Sequence, residues 1–152
     1  MGVVRVQRED FDIAAEARAL TAGRTDVGAL ASFVGLCRDE GGRLSALEIE
    51  HYPGMAEGEI AAVVAEAETR WPLIGVTVIH RYGEILPGEQ IVYVGVAAAH
   101  RAEAFAAAEM LMAFLKTRAP FWKRARRADG AVEGWVEVKA SDDTQAKRWD
   151  KP

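Results

Sequence analysis

From Arg101 to Arg118 the chain contains neither glycine nor proline, and Pro120 then cuts the segment off. Phe105, Ala108, Met112 and Leu115 recur at helical spacing, with Leu111 beside them, so an amphipathic helix from His100 or Arg101 to Arg118 is expected. Pro120 has no N–H and pushes Ala119 out of the helical region, so a new element has to start at Phe121. Four cations, Lys116, Arg118, Lys123 and Arg124, crowd this junction next to Phe121 and Trp122. Cations in a last helical turn complement the negative end of the helix dipole, and a solvated basic helix end is one explanation of them. Lys123 lies beyond the break, on the next element, and that explanation does not cover it.

The remaining elements follow from shorter patterns. Val3 to Gln7 is expected as a strand, and Phe11 to Leu20 as a helix capped by Asp10 or Asp12. Ala29 to Arg38 is strand-like and leads into the polar loop Asp39-Glu40-Gly41-Gly42-Arg43. Leu44 to Tyr52 alternates, with Leu47 and Ile49 on one face and Glu48 and Glu50 on the other, until Pro53-Gly54 stops it. Met55 to Trp71 carries Ile60, Val63, Val64 and Ala67 at helical spacing and ends before Pro72. Val76 to Arg81 and Gln90 to Ala98 are strands joined through Gly83 to Glu89, the second apolar on both faces. Phe121 to Arg127 and Gly134 to Lys139 are expected as a last hairpin about Asp129-Gly130, followed by a short helical tail capped by Ser141. Strands that are sometimes adjacent and sometimes split by helices predict an α+β fold with a mixed or antiparallel sheet. At 152 residues, without repeats or linkers, a single domain over 1–152 is expected.

The net charge of −4 weighs against nucleic acid as the main partner, because bulk phosphate binding favours a basic chain. A basic cluster in an acidic chain instead predicts a focused anion site. Cys37 is the single cysteine, which leaves no internal disulfide and no multi-cysteine metal site, and fits a reducing cytosol. Neither a signal peptide nor an apolar run long enough to cross a membrane is visible, so a cytoplasmic protein is expected.

Besides Lys116 and Lys123, two basic points stand out. Arg38 ends a strand beside a glycine-rich loop, and His100-Arg101 opens the long helix, where free N–H groups favour anions. Each alone is also compatible with a solvated surface position. Arg101 and Lys116 are separated by roughly 22 Å of helix at 1.5 Å per residue. Either the two ends do different work or a second copy of the chain completes the site. His51, His80 and His100 have no metal-ligand spacing, and neither Ser32 nor Ser45 lies in a nucleophile elbow. Cys37 next to Arg38 has the context of a thiolate, but a small residue at a strand end is more simply explained by packing.

Several short motifs occur together and in a fixed order. They are Glu50-His51-Tyr52-Pro53-Gly54-Met55, Arg70-Trp71-Pro72, Val78-Ile79-His80-Arg81, Val94-Gly95-Val96, Ala99-His100-Arg101 and Lys116-Thr117-Arg118-Ala119-Pro120-Phe121-Trp122-Lys123. In this set the chain resembles the large, catalytic subunit of molybdopterin synthase, and the last motif is the most specific. The resemblance implies an α+β fold of the α/β-hammerhead type with an added small antiparallel subdomain. It implies a sulfurtransferase that converts cyclic pyranopterin monophosphate into the dithiolene of molybdopterin, with no metal and no bound cofactor. It also implies a small ubiquitin-like sulfur-carrier subunit ending in a Gly-Gly thiocarboxylate, and a homodimer at the centre of a heterotetramer.

Carried over by position, the resemblance makes Lys116 and Lys123 the catalytic lysines. It places Leu36, Cys37, Arg38, His100, Arg101, Lys116, Lys123, Arg124 and Ala125 around the substrate, with Lys139 as a possible addition. Cys37 stands where an aliphatic residue is usual, and no sulfur chemistry is attached to it. Ala125 replaces an acidic residue found in some members. Lys139 replaces an arginine, keeping the charge but losing the bidentate geometry. The chemistry is consistent: the phosphate ester and the thiocarboxylate are both anions, and clustered cations reduce their repulsion. The thiocarboxylate is itself a nucleophile, so the protein has to supply positioning and a proton donor or acceptor, for which the two lysines are candidates. Two other functions were weighed. One is a nucleic-acid module stacking bases on Phe121 and Trp122; the other is a non-catalytic partner-binding relative. The chain ends Trp149-Asp150-Lys151-Pro152, without a Gly-Gly tail, so it is expected to act with a partner and to hold an extended Gly-Gly peptide in a groove beside Lys116 and Lys123.

Overall fold

The computed structural model describes residues 2–39, 41–135, 144 and 147–150. Eleven elements follow one another among them: β1 (Val3–Gln7), α1 (Ile13–Thr21), β2 (Ala29–Leu36), β3 (Leu44–His51), α2 (Met55–Arg70), β4 (Leu73–Arg81), β5 (Gly83–Ile85), β6 (Gln90–Ala98), α3 (Arg101–Thr117), β7 (Phe121–Arg127) and β8 (Val132–Trp135). The strands form two four-stranded sheets, in the orders β1-β4-β6-β2 and β5-β3-β7-β8. The first is mixed, since β1 runs parallel to β4 while β4–β6 and β6–β2 are antiparallel. The second is antiparallel throughout. This is the α+β arrangement expected from the sequence, with the smaller sheet as the antiparallel subdomain.

The central strands β4 and β6 are covered on both faces, which explains their lack of alternation. On one face Val76, Val78, Val94 and Val96 join α2 and α3 through Ile60, Val64, Ala104 and Leu111. Ile49, Ile85 and Ala125 of the second sheet belong to the same apolar cluster, so the two sheets share a core. On the other face Ile79 and Tyr93 pack with Phe11, next to α1. The buried Tyr93 hydroxyl lies 2.9 Å from Ser32 Oγ. Gly95 leaves room for that ring: a Cβ there would sit 2.6 Å from the Tyr93 hydroxyl and from Leu20 Cδ1.

Local signals account for the helix boundaries. Asp12 caps α1, its carboxylate accepting from the Ala15 N–H. Gly54, at φ 83°, turns the chain from β3 into α2, and its N–H donates to Glu57. The Trp149 ring packs edge-on against Trp71, Arg70 donates to the Trp149 carbonyl, and Asp150 pairs with Arg118, so residues 147–150 lie across the ends of α2 and α3.

Three differences from expectation stand out. β4 starts at Leu73, directly after Pro72, three residues before Val76. The segment expected as a plain connection contains β5, which pairs Leu47 with Ile85 and Ile49 with Gly83. The last strand among the described residues is Val132–Trp135, starting two residues before Gly134 and set by pairs between Arg126 and Val132 and between Arg124 and Trp135. Lys139 and Ser141 lie outside the described residues.

Candidate active site

Topology sorts the cations into two groups. β6 ends at Ala98, and α3 turns back over β6 and β2 from Arg101. β2 runs opposite to β6, pairing Ala29 with Ala98 and Leu36 with Gln90. The C-terminal end of β2 therefore lies at the same end of the sheet as the C-terminal end of α3. Cys37 is clasped there by its backbone: its N–H donates to the Glu89 carbonyl and its carbonyl accepts from the Gly88 N–H. Its side chain is buried, with Sγ 3.9 Å from the Ile85 carbonyl, so Cys37 contributes backbone position and packing. The same clasp sets Arg38, which is exposed, beside the turn before β6. Leu36 is also exposed.

Lys116 lies in the last turn of α3 and Lys123 three residues past Pro120 on β7. They converge on one buried side chain, the imidazole of His80 at the end of β4. His80 is 2% exposed and stacks on Phe121, with ring centres 3.8 Å apart and planes 14° from parallel. Its Nδ1 lies 2.8 Å from the Arg81 carbonyl. Burial, and then the positive charge of Lys123 and, less strongly, that of Lys116, push its pKa from 6.5 down to about 3, against the opposing effect of the Arg81 carbonyl. Both lysines thus oppose the charging of the same ring. The His51 ring extends the stack, 4.3 Å from Tyr82 and 6.1 Å from Phe121.

The register of the second sheet explains this convergence. β3 and β7 pair Leu47 with Ala125, Ile49 with Lys123 and His51 with Phe121. These pairs share the face toward the core, and Ala125 is buried there, with no side chain reaching out to a ligand. Glu48, Glu50, Trp122 and Arg124 take the opposite face, where Trp122 packs edge-on against Tyr52. Arg124 thus faces away from Lys123. Residue alternation along one strand separates two neighbours that the sequence places together.

His100 and Arg101 open α3 and are exposed, at the far end of an uninterrupted helix from Lys116. His100 makes no capping bond with its side chain, which leaves the first N–H groups of the helix open. Arg38, Lys116 and Lys123 are thus brought to one end of the sheet, and His100 and Arg101 to the other. A groove of about 830 Å³ runs between β2 and α3, lined by Leu30, Phe33, Phe105 and Met112, with Lys116 at its edge. Leu30, Phe33 and Phe105 are exposed, at 40%, 42% and 66%. Among the described residues, no cluster of His, Cys, Asp and Glu could hold a metal ion.

The family model described as MoaE protein matches residues 6–118, which includes Arg38, His100, Arg101 and Lys116. This chain belongs to the MoaE protein family. The molybdopterin synthase catalytic subunit of Mesorhizobium japonicum is 65% identical over 146 residues, covering 96% of this chain and 92% of its own length. A MoaE protein from Burkholderia ambifaria, of solved structure, superposes with a TM-score of 0.84 at 46% identity and full coverage of both chains. The molybdopterin synthase structure from Staphylococcus aureus superposes with a TM-score of 0.78 at 26% identity, covering 87% of this chain and 95% of that one.

His51 and His80 are what the sequence alone does not point to: they lack metal spacing, and unlike His100 they carry no expected role. The available signal was Val76-x-Val78-x-His80: a histidine on the buried face of a strand, at the position where the next apolar residue belongs.

Proposed function

We propose that this MoaE-family chain works as the catalytic subunit of a molybdopterin synthase. In this reading it moves sulfur from the thiocarboxylated tail of a small subunit onto cyclic pyranopterin monophosphate. The observation that carries it is the convergence of Lys116 and Lys123 around His80, beside the end of β2 that bears Arg38. A phosphate ester and a thiocarboxylate repel each other, and cations on separate elements offset that repulsion while leaving a gap between them. One lysine serves as proton donor or acceptor at the reacting carbons, and the other holds charge. Arg38, exposed and without a side-chain partner among the described residues, is placed to receive a phosphate.

The distance between His100-Arg101 and Lys116 supports a shared site. If all of them surround one substrate, as the resemblance implies, the helix start has to come from a neighbouring protomer. The exposed apolar groove between β2 and α3 supplies a surface for such a contact, and a homodimer flanked by two small subunits follows. The buried free thiol of Cys37 is in keeping with a cytosolic setting.

The test is turnover in the reconstituted complex. Lys116→Ala and Lys123→Ala should each lower product formation by about 100-fold or more, the scale of a lost acid–base group, while the melting temperature stays near that of the unaltered protein. A folded variant that forms product at the unaltered rate removes that lysine from the mechanism.

A further inference from the structure

We propose that His80 is a positioning residue for this reaction: its ring, stacked on Phe121 and tied to the Arg81 carbonyl, fixes where Lys123 stands relative to Lys116. The inference rests on the proposed role of the lysines and assigns a task to a residue shut off from solvent.

Three observations support it. The first is covalent geometry. Only six residues separate Lys116 from Lys123, and Pro120 and Phe121 lie between them. Phe121 is the first residue of β7, so whatever fixes its ring fixes the start of the strand that carries Lys123. His80 does so from β4, a central strand paired on both sides, with Val6 of β1 and Val92 of β6. The start of β7 is thereby referenced to a strand paired on both sides.

The second is the tautomer. The Arg81 carbonyl can only accept, so Nδ1 carries the proton and donates to it. The lone pair of Nε2 is then what the ring offers its surroundings. The charged and titratable groups around it are Lys116 from α3, Lys123 from β7 and His51 from β3, with Tyr82 beyond His51. A lone pair attracts an ammonium group, whereas an imidazolium would repel both lysines.

The third is burial. At 2% exposure the ring is shut off from water, and a filled, hydrogen-bonded pocket resists the displacement of its contents. A leucine or valine would fill the same volume with no lone pair, and a lysine or arginine would add a third positive charge.

The experiment uses the reconstituted complex with its small subunit and precursor, and compares His80→Phe with His80→Gln. Phenylalanine keeps a flat ring against Phe121 but removes both nitrogens; glutamine puts an amide oxygen near the position of Nε2. We expect His80→Phe to lower kcat by about tenfold or more with KM for the precursor within about twofold, as for an interaction felt in the transition state. His80→Gln should recover a measurable part of that loss. The deciding comparison is a double-mutant cycle in single-turnover assays. A residue that acts through Lys123 costs little once Lys123 is gone, so His80→Phe should change the residual rate of Lys123→Ala by less than about twofold. Equal losses in both backgrounds, or a folded His80→Phe with unaltered kcat, would overturn the inference. If His80→Phe does not fold, His80→Gln in the same cycle decides by the same criterion. Retention of activity by Lys116→Ala and Lys123→Ala would instead defeat the reading of the lysines, and the two failures are told apart by which variants stay active.

Discussion

Burying a neutral histidine between cations has a consequence for stability. In the unfolded chain His80 takes up a proton near pH 6.5, whereas in the folded protein it does so only near about 3. Between these values the unfolded state binds more protons, so folding stability falls as the pH is lowered through this window and is fully present above it. Each tenfold difference in proton affinity is worth 1.36 kcal/mol, so the whole interval from 6.5 to about 3 amounts to roughly 5 kcal/mol. Going from pH 7 to pH 5 should remove about 2 kcal/mol of it. The assay is equilibrium denaturation at the two pH values for the unaltered protein and for His80→Gln, which cannot titrate. Every other group contributes equally to both proteins and cancels in the difference of differences. Asp10 does not enter, because its hydrogen bonds to Gln90 and Phe11 lower its pKa and move its contribution to more acid conditions. A loss on acidification equal in the two proteins would refute the argument, since His80 would then titrate alike in both states.

Other outcomes follow from particular contacts. Subunit exchange between Arg101→Ala and Lys116→Ala homodimers should restore activity to at most about half, because each mixed dimer holds one intact and one doubly damaged site; no recovery after exchange confirmed by mass spectrometry would place each site within one chain. Gly95→Ala should cost about 1–3 kcal/mol in denaturant titration, because the added methyl group meets Leu20 and Tyr93 in a filled core. Asp12→Ala should cost about 1 kcal/mol through the lost α1 cap and leave turnover unchanged, since the cap lies far along the chain from both lysines.

Periodicity made much of the fold legible. The α3 stripe, the two-sided burial of β6 and the alternation in β3 all report burial, and burial follows residue type. Strand partnership left no such mark. Alternation in β3 shows which face is buried but not that β7 lies beside it, and nothing local separates the strands into two sheets. β5 escaped because three residues with one buried side chain, Ile85, carry no period. Within the candidate site, the lysines drew attention because a proline between two cations is unusual, and the family motif pointed to them. Arg124 was carried over from the resemblance together with Lys123, and the register of β7 turns it to the opposite face. Ala125 and Cys37 were likewise carried over from the resemblance, and both side chains are buried.

The proposed site lies where the two sheets meet, and that position answers an electrostatic difficulty. Two ammonium groups close together repel, and a flexible loop would let them move apart. Here one is fixed to the end of a long helix and the other to a strand, and the break at Pro120 lets the chain pass from one to the other in a few residues. The segment could still swing about Pro120, so something outside it has to hold the strand in place. Phe121 is that handle and His80 its anchor on β4. Any flat apolar side chain would serve for anchoring alone. A histidine held in its neutral form adds an acceptor among cations, which counters their repulsion without closing the gap that an anionic substrate has to enter.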